Sequence, residues 1–168
     1  EGDVFMNVLA LDLGTSIGWA LHEQGRTESG TRNFAPNRGE SPGMRFVYFN
    51  RFLDEMALRP AFNGSVPHVG LIVYEAPHHR GGAATEISAG FSTRVQEFCA
   101  RHDIEHASVH SATLKKWTTG KGNASKEEMM VAVHDRFGWP SKTIPPQSED
   151  EVDALAVLHY ARAEIVPA

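Results

Sequence analysis

MNVLALDLGTSIGWAL, residues 6–21, is the stretch that decides the fold. Met6 to Leu13 is a short apolar run, Gly14-Thr15-Ser16 breaks it, and Ile17 to Leu21 resumes it. That pattern predicts two antiparallel strands joined by a tight turn, with Asp12 at a strand's end. Downstream, Val69 to Tyr74 (VGLIVY) is a continuous apolar run, the signature of a strand buried on both faces, and Glu75 follows it directly. Two carboxylates therefore end two central strands.

The remaining elements fall around these strands. His22 to Pro42 is polar, with Gly and Arg residues, and reads as a third, solvent-facing strand plus a loop. From Gly43 to Arg59, Met44, Val47, Tyr48, Phe52, Leu53 and Met56 recur at helical spacing and Pro60 closes the segment, which gives a crossover helix. Pro77 to Gly82 reads as loop. Thr85 to His102 reads as a helix with Ile87, Phe91, Val95, Phe98 and Cys99 on one side, and Ile104 to Val109 as another short strand. Ser111 can cap a short helix carrying Lys115, Lys116 and Trp117, broken by residues 119–123. Ser125 to Glu128 and Ser148 to Glu151 both have capping-box spacing, in which the serine oxygen accepts from the third helical N–H and the glutamate reaches back to the serine N–H. The first box opens a helix to Phe137, ended by Gly138 and Pro140, and the second a last helix through about Glu164. This order predicts an α/β fold, a mixed five-stranded sheet with helices on both faces.

With 168 residues, 41% of them hydrophobic and 22% charged, the chain fits one globular domain over residues 1–168, residues 1–5 reading as an extension outside the core. A single cysteine, Cys99, excludes an intramolecular disulfide framework and any multi-cysteine zinc site and points to a reducing, cytoplasmic compartment. No run approaches the ~20 apolar residues of a membrane span, and Glu1 to Phe5 lacks the pattern of a signal peptide, so no membrane partner is expected. The formal charge of −5 argues against a nucleic-acid partner unless it is offset locally. Lys115, Lys116, Lys121 and Lys126, with Gly120 and Gly122 between them, are the candidate phosphate-binding surface, against the ordinary reading of a solvated lysine loop. Arg80 beside Gly81 and Gly82 is a further candidate DNA contact, and a plain flexible loop explains it equally well.

Asp150 and Asp153 are three apart, so both point from one face of the final helix, beside the exposed N–H groups of its first turn. The positive helix end favours their ionised forms, which a hard divalent cation such as Mg²⁺ prefers. Taken singly, each acid has an ordinary reading: Asp12 bonded to its own turn, Glu75 a solvated strand end, Asp150 a helix-dipole partner. Taken together they point to a site, because adjacent parallel strands deliver their carboxyl ends to one edge, where ligands bind. Each like-charged pair near 4 Å repels by about 4 kcal/mol at an effective dielectric of 20. Protonation or a bound cation relieves that repulsion, and two metals about 3.5–4 Å apart would also supply a phosphoryl-transfer mechanism. The nine histidines do not make a zinc site: His78-His79 and the pair His106 and His110 have no accompanying cysteine. His78 or His79 is a candidate proton shuttle near Glu75. Trp19, Trp117 and Trp139 read as packing residues rather than base-stacking platforms.

Leu11-Asp12-Leu13-Gly14-Thr15-Ser16-Ile17-Gly18-Trp19 resembles the first motif of the RuvC family of Holliday-junction resolvases, Ile72-Val73-Tyr74-Glu75 its second, and Asp150-Glu151-Val152-Asp153-Ala154-Leu155-Ala156 its last. Leu114-Lys115-Lys116-Trp117-Thr118-Thr119-Gly120, followed by Ser125-Lys126, resembles the segment carrying the family's active-site lysine. The motifs are in the family's order and cover nearly the whole chain. The resemblance implies an RNase H-like fold and Asp12, Glu75, Asp150 and Asp153 as ligands of two Mg²⁺ or Mn²⁺ ions. It implies Lys115 beside the scissile phosphate, Lys126 as a DNA or active-site contact, and hydrolysis leaving 5′-phosphate and 3′-hydroxyl ends. It also implies a homodimer making paired cuts in a four-way junction, with the helix from Thr85 to His102 at or near its interface. Bacterial members carry an aromatic residue shortly after the second-motif glutamate, where this chain has Ala76-Pro77-His78-His79-Arg80. That departure fits a phage-type relative acting on several branched forms, forks and flaps included. Two other classes compete. Asp12 to Ser16 also resembles the phosphate loop of actin-like sugar kinases and chaperone ATPases, but those use two such domains and a second glycine-rich motif. A binding module that does not cut would gain nothing from clustered acids that repel phosphate.

Overall fold

The computed structural model describes residues 6–77, 81–140 and 145–167. β1 (Val8–Asp12) and β2 (Ser16–Glu23) form the antiparallel pair expected on either side of Gly14-Thr15, with Leu11 opposite Trp19 and Asp12 opposite Gly18. β3 (Arg26–Asn33) folds back on β2 through Gln24 and Gly25, whose φ of 50° and 79° give the left-handed backbone that tight two-residue hairpins require. α1 (Met44–Ala57) follows, then a two-stranded hairpin of β4 (Leu58–Ala61) and β5 (Gly64–Pro67). β6 (Leu71–Glu75) lies parallel to β1, α2 (Gly82–His102) crosses over, and β7 (Glu105–Val109) lies parallel to β6. α3 (Ser111–Thr119), α4 (Lys126–Phe137) and α5 (Glu149–Tyr160) complete the chain, which ends in a π-helical turn over Ala161–Ile165.

The main sheet runs β3-β2-β1-β6-β7, the five-stranded mixed sheet expected. Strand residues alternate between its faces. Leu9, Leu11, Ile72 and Tyr74 meet α1 and α2 through Phe49, Phe52, Phe91 and Phe98. Phe49 and Phe91 cross edge to face at 4.9 Å, a favoured aromatic geometry. Val8, Ala10, Leu71 and Val73 meet the other helices through Leu114, Met129, Val133, Leu155 and Leu158. Val152 and residues 154–158 of α5 are all buried, so this helix is apolar on nearly every side and lies across β1 and β2.

Ser111 is the first residue of α3 rather than its cap, a position held by His110 with no side-chain cap bond, and three further expectations need correction. The helix after Gly43 stops at Ala57 rather than Arg59, because a residue before proline is pushed out of helical geometry, and Leu58 and Arg59 are already extended. The β4–β5 hairpin that follows was not expected; Arg59 ion-pairs with Glu23, and Phe62 at its tip is fully exposed. The last helix keeps α-helical winding only to Tyr160 before loosening into the π turn.

At this C-terminal end the half-buried His159 ring stacks on Phe137 at 3.9 Å. Burial, and then the positive charges of Arg162, His22 and Arg136, lower its pKa from 6.5 to about 4. The unfolded chain protonates this imidazole below 6.5 while the folded one resists until about 4, so stability falls as pH drops through that window. Between pH 7 and 5 the thermal midpoint should fall by about 2–4 °C from this group, the effect of roughly 1 kcal/mol at this chain length. A His159→Phe variant should lack this contribution, so its midpoint relative to wild type should rise by that amount between pH 7 and 5, and a difference that does not change with pH would contradict the assignment.

Candidate metal centre

The parallel register pairs Leu11 with Tyr74, so the next residues, Asp12 and Glu75, stand level at the carboxyl ends of β1 and β6. Alternation puts both on the face of Ala10 and Val73, the side covered by α5. The first turn of α5 reaches this edge because β2 presents glycine to it: a Cβ on Gly18 would overlap the Asp150 carbonyl. Ser148 caps the helix, its Oγ accepting from the Glu151 N–H at 3.2 Å. Asp150 and Asp153 consequently face Asp12 across the strand ends.

Only half of the second expected capping box forms. The Glu151 carboxylate turns from the Ser148 N–H to accept the Ser29 hydroxyl of β3 at 2.7 Å and the Gln147 N–H at 2.8 Å. A tertiary hydroxyl and the backbone N–H one residue before the cap have together displaced the expected donor. The box at Ser125 and Glu128 is complete, with bonds of 3.1 and 3.0 Å.

The crowding of the acids is visible in their proton affinities. Asp12 is pushed from 3.8 up to about 9, first by burial, then by the negative charges of Asp153, Glu75 and Asp150, with a side-chain hydrogen bond to Asp150. Asp153 is raised to about 6 by burial and by Glu75, with Lys126 and Lys115 pulling the other way. A proton on Asp12 relieves the repulsion. Asp12, Glu75 and Asp153 line a cleft of about 260 Å³ with Ser111, Leu114, Lys115, Lys126 and Met129. Asp12 and Glu75 also border a second recess of about 280 Å³ on the α2 side, with Thr85 and Ser88, and so line both hollows. Among the described residues no three His, Cys, Asp or Glu side chains form a ready-made metal cage; the acids share the region without closing on one point. As a donor set, four carboxylates with excess buried negative charge fit hard divalent cations.

The expected lysine surface divides. Lys115 and Lys126 line the acid cleft. Lys126 pairs with Glu149 at 3.0 Å, and that bond, with the charges of Asp153 and Asp150, holds its ammonium more firmly protonated. Lys121 instead pairs with Glu128 at 2.9 Å, and Lys116 is exposed in the last turn of α3; neither lines the cleft. Arg80, His78 and His79 lie outside the described residues. Trp117 packs against Phe137 and Tyr160 while its indole N–H donates to Glu164 at 3.0 Å, and Trp139 sits beside His134, both as packing residues. Sequence reasoning did not single out Gly18, Ser29, Glu149 or Glu151 for roles at this edge. Glu149 was detectable as the acid beside Asp150; the other three depend on contacts between distant segments.

The chain matches no protein-family model and no curated protein. Its fold places it in a known class: an antiparallel β3-β2-β1 edge continued by parallel β6 and β7, with helices on both faces, is the RNase H-like architecture. Within that class the chain has the fold of RuvC. It is similar to the RuvC structure of Thermus thermophilus, with a TM-score of 0.64 and 18% identity over 94% of this chain and 96% of that one. Against T. thermophilus RuvC in complex with Holliday junction substrate the TM-score is 0.66 at 16% identity, over 95% and 97% of the two chains. The Fowlpox virus resolvase, solved with its substrate Holliday junction DNA, matches with a TM-score of 0.55 and 9% identity over 96% of this chain and all of that one.

Proposed function

We propose that this chain is a divalent-metal-dependent endonuclease that resolves four-way DNA junctions or related branched DNA. The observation that carries the proposal is the gathering of Asp12, Glu75, Asp150 and Asp153 from two strands and a helix at one sheet edge, walled by Lys115 and Lys126. These four acids would hold two Mg²⁺ or Mn²⁺ ions, which when bound supply an activated water and stabilise the leaving oxygen, giving 5′-phosphate and 3′-hydroxyl ends. Lys115 places positive charge where a scissile phosphate meets the acids and so offsets charge that develops during attack. Lys126, parked on Glu149, is within reach of an incoming phosphate and exchanges one anionic partner for another. The two hollows that share Asp12 and Glu75 would give a DNA strand a path to the acids from either side. A homodimer with α2 at or near the interface would set two such sites for paired cuts in a two-fold junction, and residues 76–80 fit a phage-type enzyme acting in a bacterial cytoplasm. No helix among the described residues is long and apolar enough to cross a membrane.

The test is cleavage of a labelled four-way junction beside linear duplex, Y-fork and flap, with Mg²⁺, Mn²⁺ or EDTA. Paired symmetric nicks confined to the junction establish a resolvase, and cutting of every branched form establishes a broader debranching nuclease. An absence of metal-dependent cutting on all four substrates overturns the proposal.

The Lys126–Glu149 pair gives a separate expectation. Lys126→Ala should weaken junction binding evenly across sequences and flatten the dependence of log affinity on log salt by about one, the signature of one lost phosphate contact. Glu149→Gln should tighten binding, because it releases the lysine and removes a charge that repels phosphate. An unchanged salt slope for Lys126→Ala would place this lysine off the DNA path.

A further inference from the structure

The carboxylate between the two α5 acids in sequence points away from them. Successive helical residues are about 100° apart, so Asp150 and Asp153 lie within about 60° of each other while Glu151 projects to another side. Glu151 is only 8% exposed, and both of its oxygens are engaged, by the Ser29 hydroxyl and the Gln147 N–H. The peptide joining Asp150 to Glu151 rests on Gly18 of β2. The first turn of α5 is thus gripped at two points on different strands, and the Ser148 cap fixes its start.

We infer that Glu151, together with Ser29, is a positioning residue for the metal centre: it sets the rotation of α5 about its own axis, and with it the direction of Asp150 and Asp153. The inference rests on the metal-nuclease reading of that site. With side-chain tips about 6 Å from a helix axis, a 20° rotation moves a carboxylate oxygen by about 2 Å. Mg²⁺ accepts ligands only near 2.0–2.1 Å in octahedral geometry, whereas Ca²⁺ tolerates 2.3–2.6 Å and irregular arrangements. A loosened helix should therefore cost Mg²⁺ more than Ca²⁺, which loss of general stability alone would not produce.

The experiment is calorimetric titration of the full chain with Mg²⁺ and, separately, Ca²⁺ in the absence of DNA, for wild type, Ser29→Ala, Glu151→Gln and Glu151→Ala, with a thermal midpoint for each. Ser29→Ala and Glu151→Ala should weaken Mg²⁺ binding about tenfold, the scale of lost outer contacts to metal ligands, and Ca²⁺ binding less. Glu151→Gln should regain most of the loss, because the amide oxygen still accepts the Gln147 N–H and the amide can bond to Ser29. Should Glu151→Ala fail to fold, Ser29→Ala on the sheet's edge strand decides the matter. Wild-type Mg²⁺ affinity in Ser29→Ala, or equal losses for the two cations, overturns the positioning role while leaving the metal reading intact. A wild-type chain that binds neither cation overturns both.

Discussion

Asp12→Asn should abolish cleavage and at the same time make the metal-free protein more stable. The unfolded chain ionises Asp12 near its ordinary value of 3.8, whereas burial and the charges of Asp153, Glu75 and Asp150 hold it protonated up to about 9 in the fold. Across that window the folded state binds more protons than the unfolded one, so stability falls as pH rises from about 4 towards 9. Asp153, raised to about 6, adds to the fall between 4 and 6. At neutral pH the combined penalty is of the order of a few kcal/mol, and each 1 kcal/mol is worth about 2–4 °C in thermal midpoint at this chain length. The amide variant cannot ionise and should melt at least about 5 °C higher than wild type without metal. Its junction cleavage should fall by more than about a thousandfold, beyond what one electrostatic contact supplies, while junction binding holds or improves. The wild type should gain stability on Mg²⁺ or Mn²⁺ addition, about 2.7 kcal/mol at a hundred times Kd, and the variant much less. A cleaving Asp12→Asn protein, or one that melts lower than wild type, would defeat this account of the site.

Gly18→Ala should have the second-largest effect, and from a residue that need touch neither metal nor DNA. The added methyl would occupy the position of the Asp150 carbonyl. Because both partners are backbone, no side chain can swing aside; α5 must lift from β2 or β2 must bend. Overpacking of this kind costs about 1–3 kcal/mol, which should lower the thermal midpoint by about 5 °C. Any lift of α5 separates Asp150 and Asp153 from Asp12 and Glu75, so Mg²⁺ affinity should fall more than about tenfold. Gly30→Ala on the edge strand β3 is the control, since its Cβ would approach only the Trp19 side chain, at 3.0 Å. If Gly18→Ala bound Mg²⁺ as tightly as Gly30→Ala, the close seat of α5 would not govern the site.

The sequence was legible wherever burial imposes a period. β1, β2 and β6 announce themselves as apolar runs, and Asp12 and Glu75 could be found because a charged residue at the end of such a run must stand at the sheet's edge. The acids of α5 were legible from helical spacing and a serine cap. The β4–β5 hairpin was not, since Arg59 to Pro67 is exposed throughout and no buried face writes an alternation into it. Lys115 and Lys121 look alike in sequence, yet one lines the cleft and the other is held by Glu128; the side each faces depends on how α3 and α4 pack. Glu151 satisfied a local rule for helix starts, and a hydroxyl 122 positions away took its carboxylate instead. Gly18 read as part of a motif, while the physical need for it lies in the backbone of α5.

The four acids are far apart in sequence, Asp12 and Glu75 ending two strands and Asp150 and Asp153 lying on the much later α5. During synthesis the β1–β2 hairpin and β6 can pair long before α5 leaves the ribosome, but the strand-end acids then lack half of their partners. A nascent chain that stops short of Ser148 holds Asp12 and Glu75 alone, without the charge density that would draw in the two cations of the proposed site. Under the proposed function the metal centre is complete only once α5 has folded onto β1 and β2, and a fragment that stops short of Ser148 should neither hold two cations nor cut DNA.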